Sequence, residues 1–228
     1  MPQQRTHLTV LAWICIGLPT AALAESWDSD EAWERAAQEA EQIEQARNVN
    51  LGELEFLEER PEGRVPRMEN HIHVTRESLE DGWAFLEQCH YDLDAVPATQ
   101  VVYNEDRVRE IAITDHSAIE SATVVDNTVQ LENVERDAYL CVRNETKAVE
   151  QADDAFIVRS GPFMRRFLDG FYPMDITLTV SWEDGLLNLQ STQPEAQPGF
   201  AVSPDNDSVV INALFEGKLN TELTFSTP

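Results

Sequence analysis

The dominant pattern in the chain is alternation. Met174, Ile176, Leu178, Val180 and Trp182 are separated by Asp175, Thr177, Thr179 and Ser181. The same period recurs in Val209, Ile211, Ala213 and Phe215, and again in Leu219, Thr221, Leu223 and Phe225. A period of two puts each apolar set on one face of an extended chain, so every segment predicts a half-buried strand. Glu183-Asp184-Gly185 and Glu216-Gly217 interrupt the alternation with turn residues, and Leu187 and Leu189 resume it. Short half-apolar strands joined by tight turns predict a mostly β fold, an antiparallel β-sandwich that is one large or two small, with an Ig-like architecture within its scope.

Upstream the same period is weaker. Trp83, Phe85, Cys89, Tyr91 and Leu93 share one parity, and Ala84, Gln88, His90 and Asp92 the other. The aromatic parity is expected to face inward, taking Cys89 with it. Ala138, Leu140 and Val142 alternate with Tyr139, Cys141 and Arg143, which places the second cysteine on a strand of its own. Val124 to Val129 predicts a hairpin turned at Asp126-Asn127, residue types that tolerate positive φ. Pro61 to Pro66 breaks the chain, while Gly161-Pro162 and Asp169-Gly170 mark a softer boundary. The expected organisation is a β-rich region over 61–155 followed by another over 156–228, separate or fused.

The N-terminal quarter has a different period. Trp33, Ala36, Ala37, Ala40 and Ile43 recur at spacings of three and four, predicting an acidic α-helix over 29–47 within a helical segment and linker spanning 25–60. Its alanine-rich stripe suits a helix lying on the domain or a spacer better than a coiled coil. Residues 1–24 read as a signal peptide: Arg5, an apolar run from Leu8 to Leu18, and the small-x-small pattern of Ala22-Leu23-Ala24. The expected product is periplasmic or secreted after cleavage near Ala24, and no later segment has the roughly 18 apolar residues of a membrane span.

Cys15 leaves with that leader, so Cys89 and Cys141 remain, and an even count in an oxidising compartment predicts a disulfide.

Charge narrows the partners. The 228 residues carry 42 Asp+Glu against 16 Lys+Arg, a formal net charge of −26, and the only lysines are Lys147 and Lys218. A surface of that sign repels nucleic acid and anionic lipid, so no nucleic-acid partner is expected.

For chemistry, no phosphate-binding glycine cluster, nucleophile elbow, His-Glu-x-x-His or Cys-x-x-Cys is present. His71 and His73 flank Ile72 on an expected strand, as a chelating pair for zinc or copper requires; the competing reading has Ile72 and Val74 in the core and both imidazoles in water. Asp205 to Ser208 offers oxygens at alternate positions but lacks the glycine and distal glutamate of a calcium loop, so a hairpin turn is expected. Phe163, Arg165, Arg166, Phe167, Phe171 and Tyr172 gather aromatic groups and cations in an otherwise acidic chain, a composition that interfaces favour. No catalytic residue is assigned and no cofactor beyond the zinc or copper alternative. The function expected is a non-catalytic binding or accessory module serving another exported or envelope protein; the alternative is a metal-binding periplasmic protein or enzyme using His71 and His73.

Carboxylates spread along the whole chain suggest adaptation to high salt. Molar NaCl is expected to raise the melting temperature by screening self-repulsion; a scan of Tm against salt that is flat or falls contradicts it.

Overall fold

The computed structural model describes residues 50–228, and the expected leader and acidic helix lie outside them. In chain order these residues form β1 (Glu55–Phe56), β2 (Arg67–Val74), helix α1 (Arg76–Asp81), β3 (Trp83–Tyr91), β4 (Ala98–Val102), β5 (Val108–Val125), β6 (Thr128–Lys147), β7 (Val149–Ala152) and β8 (Ala155–Phe163). They continue with β9 (Arg165–Arg166), β10 (Phe171–Tyr172), β11 (Met174–Trp182), β12 (Asn188–Gln193), β13 (Phe200–Pro204), β14 (Ser208–Glu216) and β15 (Leu219–Ser226). The fold is mostly β. A nine-stranded sheet runs β1-β14-β11-β2-β3-β6-β4, with β13 also on β14 and β5 along β6; a four-stranded sheet runs β12-β15-β8-β7, and β9 and β10 form a small hairpin. Pairing is antiparallel except between β2 and β11, which are parallel, so the expectation of a purely antiparallel sheet is corrected at its centre. That parallel pair and the nine strands also depart from the Ig arrangement.

The alternating segments bury the residues their period singled out. Ile176, Leu178, Val180, Val209, Ile211, Phe215, Leu219, Leu223 and Phe225 have no measurable exposure. Side chains from both sheets join in one core, each such residue contributing about 1.5–3 kcal/mol of transfer free energy. The short turns do not all close hairpins, however. β14 belongs to the large sheet and β15 to the small one, so Gly217 is a corner between sheets. Its φ is +87°, and a Cβ there would lie 1.9 Å from the Glu53 carbonyl oxygen, so only glycine fits. The chain likewise leaves β11 at Glu183–Gly185 to enter the other sheet at β12. Strands from either side of position 155 share pairs and core, β7 with β8 and β2 with β11, and all described residues fall in one compact unit.

Strands β5 and β6, of 18 and 20 residues, make a hairpin too long to stay flat. One edge of β6 carries β5, while the other carries β4 at Thr128–Glu132 and β3 at Tyr139–Lys147. The Tyr103 N–H bonds the Asn127 carbonyl, and the Arg107 carbonyl accepts from the Lys147 N–H. Tyr103 to Arg107 spans at most about 14 Å, whereas a straight β6 would be about 65 Å long. The hairpin therefore folds back on itself. Three register shifts in β5, together with left-handed backbone at Glu110, Ala118, Asn133 and Asp137, supply the bends. Inside the fold lies a second core of Ile119, Val129, Leu131, Val134, Ala138, Leu140 and Val142.

Helix α1, with six residues, is too short to produce a helical period in the sequence. Its local signals are clear: Thr75 accepts from the Ser78 N–H in a capping box, and Gly82 closes it at φ +83°.

Cys89 and Cys141 are disulfide-bonded, their Cα atoms 4.1 Å apart at directly opposed positions of β3 and β6. The expected facing of β3 is reversed. Ala84, Leu86 and Gln88 are buried, and Trp83, Phe85, Cys89 and Tyr91 line the outer face. Guanidinium groups stand over the aromatics there: Arg109 lies 4.2 Å from the Trp83 ring centre and Arg67 4.4 Å from Tyr91, while Arg143, 5.7 Å from Phe85, leaves that ring exposed. The bond joins neighbouring strands of one sheet. Closing a 52-residue separation, it stabilises by about 4 kcal/mol in the chain-entropy picture. Urea denaturation of Cys89→Ala/Cys141→Ala should show about 2–4 kcal/mol less stability than the oxidised parent, and added reductant should no longer shift the midpoint.

Candidate functional site

Two groups of residues singled out by composition acquire geometry. The first is the β9–β10 hairpin, Arg165–Arg166 paired with Phe171–Tyr172. Its turn is set by Asp169-Gly170: the Phe167 N–H bonds the Gly170 carbonyl at 2.9 Å, and the Tyr172 hydroxyl donates to Asp169 Oδ2 at 2.6 Å. That bond raises the Tyr172 pKa above its ordinary value. The root is pinned. Arg165 grips Asp94 through two parallel bonds, Nη2–Oδ1 at 2.6 Å and Nε–Oδ2 at 3.0 Å, the bidentate geometry that makes such pairs strong.

Phe163 and Phe171 drop out of the expected surface. They are 7% and 6% exposed, Phe163 within the main core and Phe171 against Gly52 under Arg166 and Lys218. What projects is the turn: Phe167 is exposed and Leu168 is fully exposed at 109%. Met164 and Leu51 extend the apolar surface, the latter carried in by the bridge between Asn50 and Phe171. Arg166 and Lys218, both exposed, stand beside it. Leu51, Met164, Leu168 and Lys218 escaped the sequence reading; the available signal was an apolar residue, Leu168, immediately before the Asp169-Gly170 turn.

The second group is the histidine pair. Ile72 and Val74 are buried and His71 is exposed, with His73 half-buried on the same outer face. The parallel pairing with β11 brings Ser181 between the rings, 2.7 Å from His71 Nε2 and 3.0 Å from His73 Nδ1. His90 and His116 take no part in that contact. The Asp205–Ser208 segment is a hairpin turn, the Asp205 N–H bonding the Ser208 carbonyl. A depression of about 430 Å³, lined by Glu105, Val108, Arg109 and Asn127 among others, lies at the closure of the folded hairpin.

A buried polar chain joins the two cores. Gln88 Nε2 donates to Asn70 Oδ1 at 2.6 Å, so its Oε1 receives both the Tyr103 hydroxyl at 2.8 Å and His90 Nε2 at 2.9 Å. His90 is therefore the Nε2–H tautomer. Desolvation pushes its pKa down to about 4 and raises that of Tyr103.

Compared with protein-family models, curated proteins and solved structures, the chain matches none. The functional reading rests on the geometry alone.

His90 carries a pH prediction. An unfolded imidazole takes up a proton near pH 6.5, whereas the folded one resists until about pH 4. The native state thus loses stability as pH falls through that window, and the loss levels off below it. Because residue 90 as a whole is half-buried, the contribution is at most about 3 kcal/mol. Denaturation of His90→Gln at pH 7 and pH 4.5 should show a smaller acid loss than the parent; equal losses would remove His90 as the cause.

Proposed function

We propose that this chain is an exported, non-catalytic binding or accessory module on a β-sandwich, holding a partner protein through the tip of the β9–β10 hairpin. The observation that carries the reading is Leu168, fully exposed beside Phe167 on a hairpin whose root is fixed by Arg165 and Asp94. A leucine held in water on a rigid turn forfeits about 1.5–3 kcal/mol of burial that a partner can return. A pinned root also limits the conformational entropy lost on docking.

Charge indicates the partner's chemistry. Arg166 and Lys218 are exposed and stand over the Phe171 ring at the base of the turn, in a chain of net charge −26, so an apolar pocket bordered by carboxylates fits the hairpin while the remaining surface resists unspecific contact. The same net charge disfavours an anionic membrane as the occupant. An oxidising compartment agrees with the Cys89–Cys141 bond, and another exported or envelope protein is the partner class proposed.

A photo-crosslinking residue at position 168, in cells that produce the protein, should capture one defined protein; the same residue at Val125, exposed at the β5–β6 turn, should not. With that partner purified, Leu168→Asp/Arg166→Glu should weaken binding at least tenfold and leave Tm within about 2 °C, as a surface change does. Adducts formed only with lipid, or affinity unchanged in the double variant, would reject the reading.

A further inference from the structure

We propose that His71 and His73 form the nucleus of a site for a divalent transition-metal ion of the copper and zinc class, with Glu87 as third ligand. The inference rests on residues apart from the hairpin and stands whether or not the hairpin binds a partner. Positions 71 and 73 lie two apart on β2 and so project from the same outer face, about 7 Å apart along the strand. Their nitrogens converge. One oxygen, Ser181 Oγ, lies within hydrogen-bond reach of both Nε2 of His71 and Nδ1 of His73. A hydroxyl has a single proton and two lone pairs, so Ser181 donates to one ring at most and accepts an N–H from at least the other. The place it occupies is one that two imidazole nitrogens address together. A chelated ion needs those nitrogens about 2.0–2.1 Å from it, and rings on an open face have room to turn inward.

The sheet register supplies the third donor. Glu87 stands directly opposite His71 across the β2–β3 pair, on the same face, where opposed Cβ atoms are about 5 Å apart. As the side chains stand, no three His, Cys, Asp or Glu groups among the described residues converge on one point. Glu87 is exposed and is also opposed by Arg143 on β6, so the three-ligand form requires its carboxylate to turn toward His71. Two imidazoles, a carboxylate and the Ser181 hydroxyl or a water make an N/O donor set that suits Cu(II) and Zn(II), with Cu(II) held tighter by the Irving–Williams order. Net charge of −26 concentrates cations near the surface.

The test uses the full chain without a histidine tag, stripped with chelator and titrated with Cu(II) and then Zn(II) by calorimetry. One saturable equivalent is expected, Cu(II) binding tighter, and the Cu(II) electron paramagnetic resonance spectrum should show coupling to two imidazole nitrogens. His71→Ala/His73→Ala should lose that equivalent while keeping its metal-free melting temperature, and Glu87→Gln should weaken binding about tenfold. Absence of saturable binding, a spectrum without two-nitrogen coupling, or equal affinity in the histidine double variant would overturn the site. Equal affinity in Glu87→Gln would overturn the three-ligand form proposed here.

Discussion

Everything else in the molecule depends on one apolar layer, the inner faces of β11 and β14 closed over by β15. Ile176, Leu178, Val180, Val209, Ile211, Leu219, Leu223 and Phe225 are fully buried within it. Because a strand's side chains alternate, committing those residues inward commits Thr177, Thr179 and Ser181 outward. The parallel partner β2 obeys the same rule. Burial of Met68, Ile72 and Val74 leaves His71 and His73 on the outer face beside Ser181. The histidine cluster follows from where the core lies.

Between this layer and the second core in the folded β5–β6 hairpin, the protein places polar groups. Asn70, Gln88, His90 and Tyr103 bond one another where apolar packing would otherwise be continuous. Polar groups in such a seam cost stability unless paired, and Asn70 Nδ2 has no partner among the described residues. Their geometric demands favour one register between the halves over alternatives that would strand more of them. The outer face obeys a related logic. Trp83 and Tyr91 face away from the cores yet are covered by the guanidiniums of Arg109 and Arg67, which shield apolar surface while keeping charge in water, whereas Phe85 stays exposed.

The β9–β10 hairpin shows how a compact body presents an exposed apolar group without letting it collapse inward. Phe163 and Phe171 anchor in or against the body, Arg165 ties the root to Asp94, and the two-residue strands are too short to bring Leu168 back to the surface. Burial of the anchors and exposure of the tip are parts of one arrangement. The aromatic cluster that composition singled out divides along that line.

Period and residue type determined much of this protein. The buried faces of β11, β14 and β15 were legible because alternation is a local property, and the Asp126-Asn127 turn was legible because few residues tolerate positive φ; Asp126 adopts +50°. The Cys89–Cys141 bond was expected from the sequence only with Cys15 set aside as part of a leader. Three things only the tertiary structure decided. The facing of β3 is the reverse of what its composition suggests because Trp83, Phe85 and Tyr91 carry more apolar surface than Ala84 and Gln88, and the arginines beside them are contributed by other strands, Arg67 by β2, Arg143 by β6 and Arg109 by β5. Whether a short turn closes a hairpin or crosses between sheets, as at Gly217, depends on which layer has room for the next strand. The meeting of Ser181 with two histidines over a hundred residues away depends on the parallel β2–β11 register. These are long-range choices settled by packing, and no local pattern encodes them.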